Sequence, residues 1–213
     1  MKTNRNLKLT KKDTFNGLPI YTKKGDVVVN YLEKIYDTID KAITEYPRTM
    51  AVRIDLRLPQ SLFINNSSMI KNFMASLDSQ IQADLSRKKR EGIRVRSCNV
   101  RHAWAKEKCT ALNHHYHLVL FFNKDVYNCL GDFNNKNNLS YKIKKAWSSA
   151  LDVDIDEGSR LVNFPANLLY WLDKNAKNYD TVLDDLFYRT SYLAKLKTKN
   201  FGDGTRSFGC SRK

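Results

Sequence analysis

The chain has 213 residues and 24.8 kDa, with 37 Lys and Arg against 22 Asp and Glu, for a net charge of +15. A hydrophobic share of 42% suffices for a buried core and excludes disorder throughout. The lack of any run of roughly 18 uncharged apolar residues excludes a membrane span. No apolar leader follows Met1 to Arg5, so a cytoplasmic protein is expected. Cys98, Cys109, Cys129 and Cys210 lie far apart with no C-x-x-C pair, which argues for reduced thiols over a zinc knuckle or a disulfide framework.

The charge is uneven. Residues 1–24 hold seven basic residues and one acid, residues 189–213 again seven and one, and Arg87 to Lys108 nine and two. Asp152, Asp154, Asp156, Glu157, Asp184 and Asp185 form acidic counter-patches. Such clusters suit a polyanion, because Lys and Arg displace its condensed counterions. Tails that serve only solubility are the competing reading.

In chain order, residues 1–26 are polar, with Asn16, Gly17, Pro19 and Gly25, and read as a basic flexible arm. Val28, Tyr31, Leu32, Ile35, Ile39 and Ile43 follow helical spacing over 27–46, and Pro47 ends that helix. Met50 to Leu58 alternates Val52, Ile54 and Leu56 with Arg53, Asp55 and Arg57, a strand with one polar face. Helical periodicity returns over 67–91 and ends in Arg87 to Arg90, where cations suit the helix dipole. The runs 93–106 and 112–122, joined by a turn at 109–113, predict a hairpin. Residues 139–151 and 179–196 predict helices, 158–164 a strand, and 168–172 a short apolar segment. The expected architecture is α+β, a mostly antiparallel central sheet with helices packed on it, over one domain at 27–200 and a basic tail at 201–213.

Three histidines fall in the run His114-His115-Tyr116-His117. Alternation puts His115 and His117 on one strand face, where two imidazoles can hold one divalent ion and leave positions open for water and phosphate. Folding back across the turn brings Glu107 near His115, and its carboxylate would complete the set. Histidines hydrogen-bonded to their neighbours on a half-buried strand are the alternative reading. Downstream, Tyr188, Tyr192 and Lys195 stand at i, i+4 and i+7, on one helical face. Leu183, Leu186, Thr190, Leu193 and Ala194 form the apolar stripe roughly opposite, so burial of the helix does not require the tyrosines. A phenol beside a cation and a metal-bound phosphate can act as a nucleophile, and Lys195 is placed to lower the phenol's pKa or to orient the phosphate.

Histidine-hydrophobic-histidine on a strand, an acid on the neighbouring strand and a downstream Y-x-x-K helix together resemble the HUH single-strand endonucleases that initiate rolling-circle replication. Met50 to Pro59, Trp104 to Glu107, His115 to Asn123, Ser191 to Lys195 and Arg206 to Ser211 resemble, more specifically, the inovirus gene-two-type replication protein family, which includes YagK/YfjJ-like prophage proteins. The resemblance spans about 27–213 and implies an HUH/RRM-like sheet. It implies Tyr192 as nucleophile on single-stranded origin DNA, leaving a 5′-phosphotyrosyl link and a free 3′-hydroxyl. Lys195 would assist, and Tyr188 would match the second tyrosine of two-tyrosine initiators or simply pack. His115 and His117 would hold Mg²⁺ or Mn²⁺, with Glu107 or Asp55 as third ligand. Arg53, Arg57, Arg101, Lys106, Arg189, Lys197 and Lys199 are the expected DNA contacts.

Two further motifs fail. Asp152 to Gly158 has its glycine one place late for a calcium loop, with Asn163 where the twelfth-position Glu belongs. No G-x-x-x-x-G-K-[ST] loop is present, so unwinding would require a host helicase, and extension a polymerase. Two other functions stay open: a non-catalytic single-strand-binding or regulatory module, and a metal-dependent nuclease that cuts with water and forms no adduct.

Overall fold

The computed structural model describes residues 6–59, 68–108, 114–197, 199, 201 and 204–212. In chain order the elements are β1 (Leu9–Thr10), β2 (Thr14–Phe15), β3 (Leu18–Pro19), β4 (Val27–Val28), α1 (Val29–Glu45), β5 (Arg48–Arg57) and α2 (Ser68–Arg90). There follow β6 (Arg101–Lys108), β7 (His114–Asn123), α3 (Leu139–Leu151), α4 (Ile155–Arg160), β8 (Val162–Asn163), β9 (Leu169–Asp173), α5 (Tyr179–Ser191) with a 3₁₀ turn at Tyr192–Ala194, and β10 (Phe208–Cys210).

The central sheet runs β10-β6-β7-β5-β8, with β9 also pairing along β5, and every pairing is antiparallel. β5 is central, which explains its composition: strands flanked on both sides and covered on both faces favour apolar and β-branched residues. Its even positions Met50, Val52, Ile54 and Leu56 join Leu118, Leu120 and Phe122 of β7 against Phe73, Leu77 and Ile81 of α2 and Ile143 and Trp147 of α3. Trp147 is fully buried and donates its indole N–H to the Arg57 carbonyl at 2.9 Å, which satisfies its one polar group.

The opposite face is built differently. Ala51, Ala103 and Ala105 sit beside Val119 and Phe121, and these small residues let Leu32, Ile35 and Ile39 of α1 and Leu186 and Phe187 of α5 approach closely. That face is apolar at one end only. Toward the other end of β5 it carries Arg53, Asp55 and Arg57, whose partners across the ladder are Val119, His117 and His115. The polar face expected of this strand is therefore present, but Arg53 is 5% exposed and Asp55 is half-buried, beneath α5 rather than in solvent.

Several elements depart from expectation. Within the stretch read as a flexible arm, β1 pairs with β4 and β2 with β3, and Tyr21 is tied by its backbone N–H to Ser191 Oγ at 2.8 Å. The two-residue strands are too short to show periodicity. The hairpin strand begins at Arg101, not Ile93: its ladder with β7 starts at Arg101 opposite Phe121, and just before it Asn99 is held by Tyr46 Oη and the Glu45 carboxylate at the end of α1. The predicted turn 109–113 lies outside the described residues. Of the stretch 158–164 expected as a strand, Val162–Asn163 is strand β8, whereas 158–160 belong to helix α4 (155–160), capped by the Asp154 carboxylate, which accepts from the N–H groups of Asp156 and Glu157. The acidic run is thus a helix start, favoured by the macrodipole. Gly158 is required by closeness: a Cβ there would lie 2.1 Å from Ser148 Oγ of α3. The cationic run Arg87 to Arg90 closes α2, with Arg87 paired to Asp84 and Glu91 at 2.9 Å each.

Candidate metal and tyrosine site

Glu107 on β6 and His115 on β7 are direct cross-strand partners, as are His117 and Asp55 of β5. Antiparallel partners share a face, so three strands deliver four polar side chains to one patch. Ligand atoms of Glu107, His115 and His117 all lie within 4.8 Å of one another. His115 Nε2 is 3.0 Å from His117 Nε2, and His117 Nε2 is 3.2 Å from Glu107 Oε2.

Asp55 is not the third member of this group. Its Oδ1 contacts His117 Nδ1, on the other side of the ring. That contact places a ring proton on Nδ1 and turns Nε2 toward His115 and Glu107. Arg53 holds the same carboxylate oxygen, and the two contacts overcome burial to keep the Asp55 carboxyl well below its ordinary range. Burial also raises the Glu107 carboxyl, but His117, Lys199 and Lys195 outweigh it and bring it to about 2. Burial pushes His115 down to about 4, with His117 adding to the effect, so its ring is neutral at pH 7. Two imidazole lone pairs and a carboxylate oxygen converging in this way form a donor set suited to a divalent first-row ion, with Asp55 as the outer carboxylate that orients a ligating histidine. Glu107 Oε1, buried and without a hydrogen-bond partner, fits the same reading.

α5 ends at Ser191 and tightens into the 3₁₀ turn, so Tyr192 begins that turn and Lys195 follows it. The phenol ring of Tyr192 packs edge-on to His117 with centroids 5.3 Å apart. Lys195 Nζ contacts Tyr192 Oη and also lies 2.9 Å from Glu107 Oε2, which links phenol, ammonium and triad. The expected lowering of the phenol is only partial. Burial raises the Tyr192 hydroxyl, the Lys195 hydrogen bond works against that, Glu107 reinforces it, and the net direction is upward. Lys195 therefore offsets the cost of burial without making the free phenol acidic.

Beside these groups lies a cavity of about 370 Å³, bounded by Asp55, His117, Tyr188 and Tyr192 and by the cations Lys24, Arg53 and Arg189. Its remaining wall is Tyr21, whose ring sits edge-on to Tyr188 at 5.7 Å and to Tyr192 at 5.6 Å. Sequence reasoning missed Tyr21 because a lone tyrosine in a polar segment carries no periodic signal.

A family model described as the YagK/YfjJ C-terminal domain matches residues 10–211. The chain belongs to this family. It is 38% identical over 197 residues to "Uncharacterized protein YagK" of Escherichia coli (strain K12), covering 88% of this chain and 95% of that protein. It is 35% identical over 200 residues to "Uncharacterized protein YfjJ" of the same strain, covering 88% and 96% respectively. No solved structure matches. The match begins at residue 10, so the family's domain takes in β2, β3 and Tyr21, which the sequence resemblance from residue 27 left out.

The seven cations expected to contact DNA are scattered in this family member. Arg53 and Arg189 line the cavity, and Arg57 and Lys197 are exposed. Arg101 is committed to Glu45, with Nη2 2.7 Å from its carboxylate. Lys106 alternates to the other face, where it is 4% exposed and contacts Thr205. Lys199 is 3% exposed with its Nζ 3.8 Å from Glu107 Oε1, and burial brings it down to about 7. Lys106 and Lys199 are thus internal, and a charge count could not separate them from surface lysines.

Proposed function

We propose that this protein is a metal-dependent tyrosine nickase of single-stranded DNA, an HUH-type initiator acting on origin DNA of a phage, plasmid or prophage element. The observation that carries the reading is the chain of contacts Tyr192–Lys195–Glu107–His117–Asp55, of which Tyr192, His117 and Asp55 line a cationic cavity while Lys195 and Glu107 join them from behind. Each member has a task that a purely structural cluster would not require.

In this reading the cavity takes the scissile phosphodiester, with Arg53, Arg189 and Lys24 facing its charge. Glu107, His115 and His117 would hold Mg²⁺ or Mn²⁺, which when bound polarises a phosphoryl oxygen and stabilises the charge that develops there. Tyr192 Oη attacks phosphorus and forms a 5′-phosphotyrosyl bond while the bond to the 3′-oxygen breaks. The phenolic proton passes to solvent, and the 3′-oxygen leaves as a hydroxyl that a polymerase can extend. Lys195, already bonded to Tyr192 Oη, stabilises the phenolate as its proton departs. Tyr188 borders the same cavity and would serve as the second nucleophile in rejoining. Strand separation falls to a host helicase.

The test is incubation of the protein with origin single strand and Mn²⁺, followed by denaturing electrophoresis. A covalent adduct is expected with wild type and not with Tyr192→Phe or His117→Ala. An adduct formed equally by Tyr192→Phe excludes this nucleophile, and cleavage with no adduct assigns the reaction to water.

A further inference from the structure

A second basic groove, of about 620 Å³, lies between α1 and the edge strand β10, outside the tyrosine cavity. Lys34 and Lys41 stand on its helical wall, seven residues and so about two turns apart on one face of α1. Arg206 and Arg212 stand on the opposite wall at either end of β10. All four are exposed, and among the described residues none of them forms an ion pair and Asp37 is the one acid lining the groove.

The floor adds donors of a second kind. Ser207 accepts from the Lys106 N–H at 2.9 Å and the Ser211 N–H donates to His102 at 2.9 Å, so both bond inward to β6. Ladder alternation then turns the backbone N–H and C=O groups of Phe208 and Cys210 away from β6, at the open edge, where the N–H groups add donors between the cations. The aromatic residues here are spent on the fold: Phe208 stacks on Tyr31 with centroids 4.3 Å apart, and Trp104 is 7% exposed over Gly209. No base-stacking platform is left, which favours contact to a backbone without regard to sequence.

The groove is also near the candidate site. Ala105 pairs with His117 on one side and with Phe208 on the other, so β10 lies two strands from His117, about 10 Å across the sheet.

We propose that the α1/β10 groove binds the phosphate backbone of single-stranded DNA flanking the tyrosine cavity. The proposal rests on the nicking reading only for the identity of the polyanion. Binding here requires neither the metal nor Tyr192.

The test is fluorescence anisotropy of a labelled 30-nucleotide single strand in EDTA, titrated at several salt concentrations. Lys34→Gln/Lys41→Gln and Arg206→Gln/Arg212→Gln should each flatten the slope of log K against log salt by about 1.4, two phosphate contacts at roughly 0.7 apiece. Lys71→Gln, on α2 across the sheet, should leave the slope unchanged. Equal slopes for wild type and both double variants overturn the proposal, as does flattening seen with a duplex and not with the single strand. Adduct formation on a short oligonucleotide that covers only the scissile region should persist in both double variants. Its loss in Tyr192→Phe speaks to the nicking reading alone, so the two readings fail separately.

Discussion

Asp55 and Glu107 carry the same charge and do different work, and the side of the His117 ring that each one meets decides which. Glu107 faces Nε2 together with His115, whereas Asp55 meets Nδ1 and fixes the tautomer. Asp55→Asn should therefore weaken Mn²⁺ binding by roughly 10- to 100-fold in isothermal titration calorimetry without removing a ligand. Glu107 also neutralises Lys195 and Lys199, which are 3% exposed each. Glu107→Gln leaves the Lys195 ammonium buried without its counter-charge and takes away the partner of Lys199, and urea unfolding at pH 7 should show a loss of about 3 kcal/mol. His102 supplies a pH dependence of its own. Its Nδ1 is buried without a hydrogen-bond partner, and burial brings its folded-state pKa down to about 4. Between the ordinary value near 6.5 and 4 the unfolded chain binds a proton that the folded chain refuses, so stability falls as pH drops through that window. His102→Gln should flatten the 6.5-to-4 limb of a thermal-melting pH series.

At the scale of elements, close approach limits which residues the connections tolerate. A Cβ at Gly158 would strike Ser148 of α3, so Gly158→Ala should cost about 1–3 kcal/mol in urea unfolding by forcing α4 away. A Cβ at Gly209 would lie 2.7 Å from the Trp104 indole, which ties the docking of β10 to a glycine. Such contacts mark the boundary of what the sequence discloses. The alternation of β5, the periodicity of α1, α2, α3 and α5 and the fold-back that sets Glu107 against His115 were all legible, because each is a repeat long enough to register. β8 lies within the strand expected over 158–164, but β10, of three residues, is too short to register and exists because β6 provides a ladder. α4 carries no helical signal in the sequence, and its last three residues fall in the expected strand, because its start is set by the Asp154 cap and its packing by Gly158, not by a hydrophobic stripe. The histidines and tyrosines were legible by type and spacing. Their joining through Lys195, and the entry of Tyr21 from a remote segment, depend on tertiary contacts.

Across the whole molecule, the net charge of +15 resolves into cations with different duties. Lys195 and Lys199 are internal partners of Glu107, Arg87 and Arg101 answer local acids, and Arg53, Arg189 and Lys24 face the tyrosine cavity. Lys34, Lys41, Arg206 and Arg212 line a separate groove. Total charge is therefore a poor guide to the number of phosphates engaged, and the slope of affinity with salt is the better one. The central claim concerns chemistry at one oxygen atom. After reaction with origin single strand and Mn²⁺, the protein should be digested with protease and nuclease and the adduct peptide sequenced by mass spectrometry. A 5′-phosphonucleotide carried by Tyr192, or divided between Tyr192 and Tyr188, is the predicted result. Cleaved DNA with no modified peptide, or a nucleotide on any other residue, would contradict it.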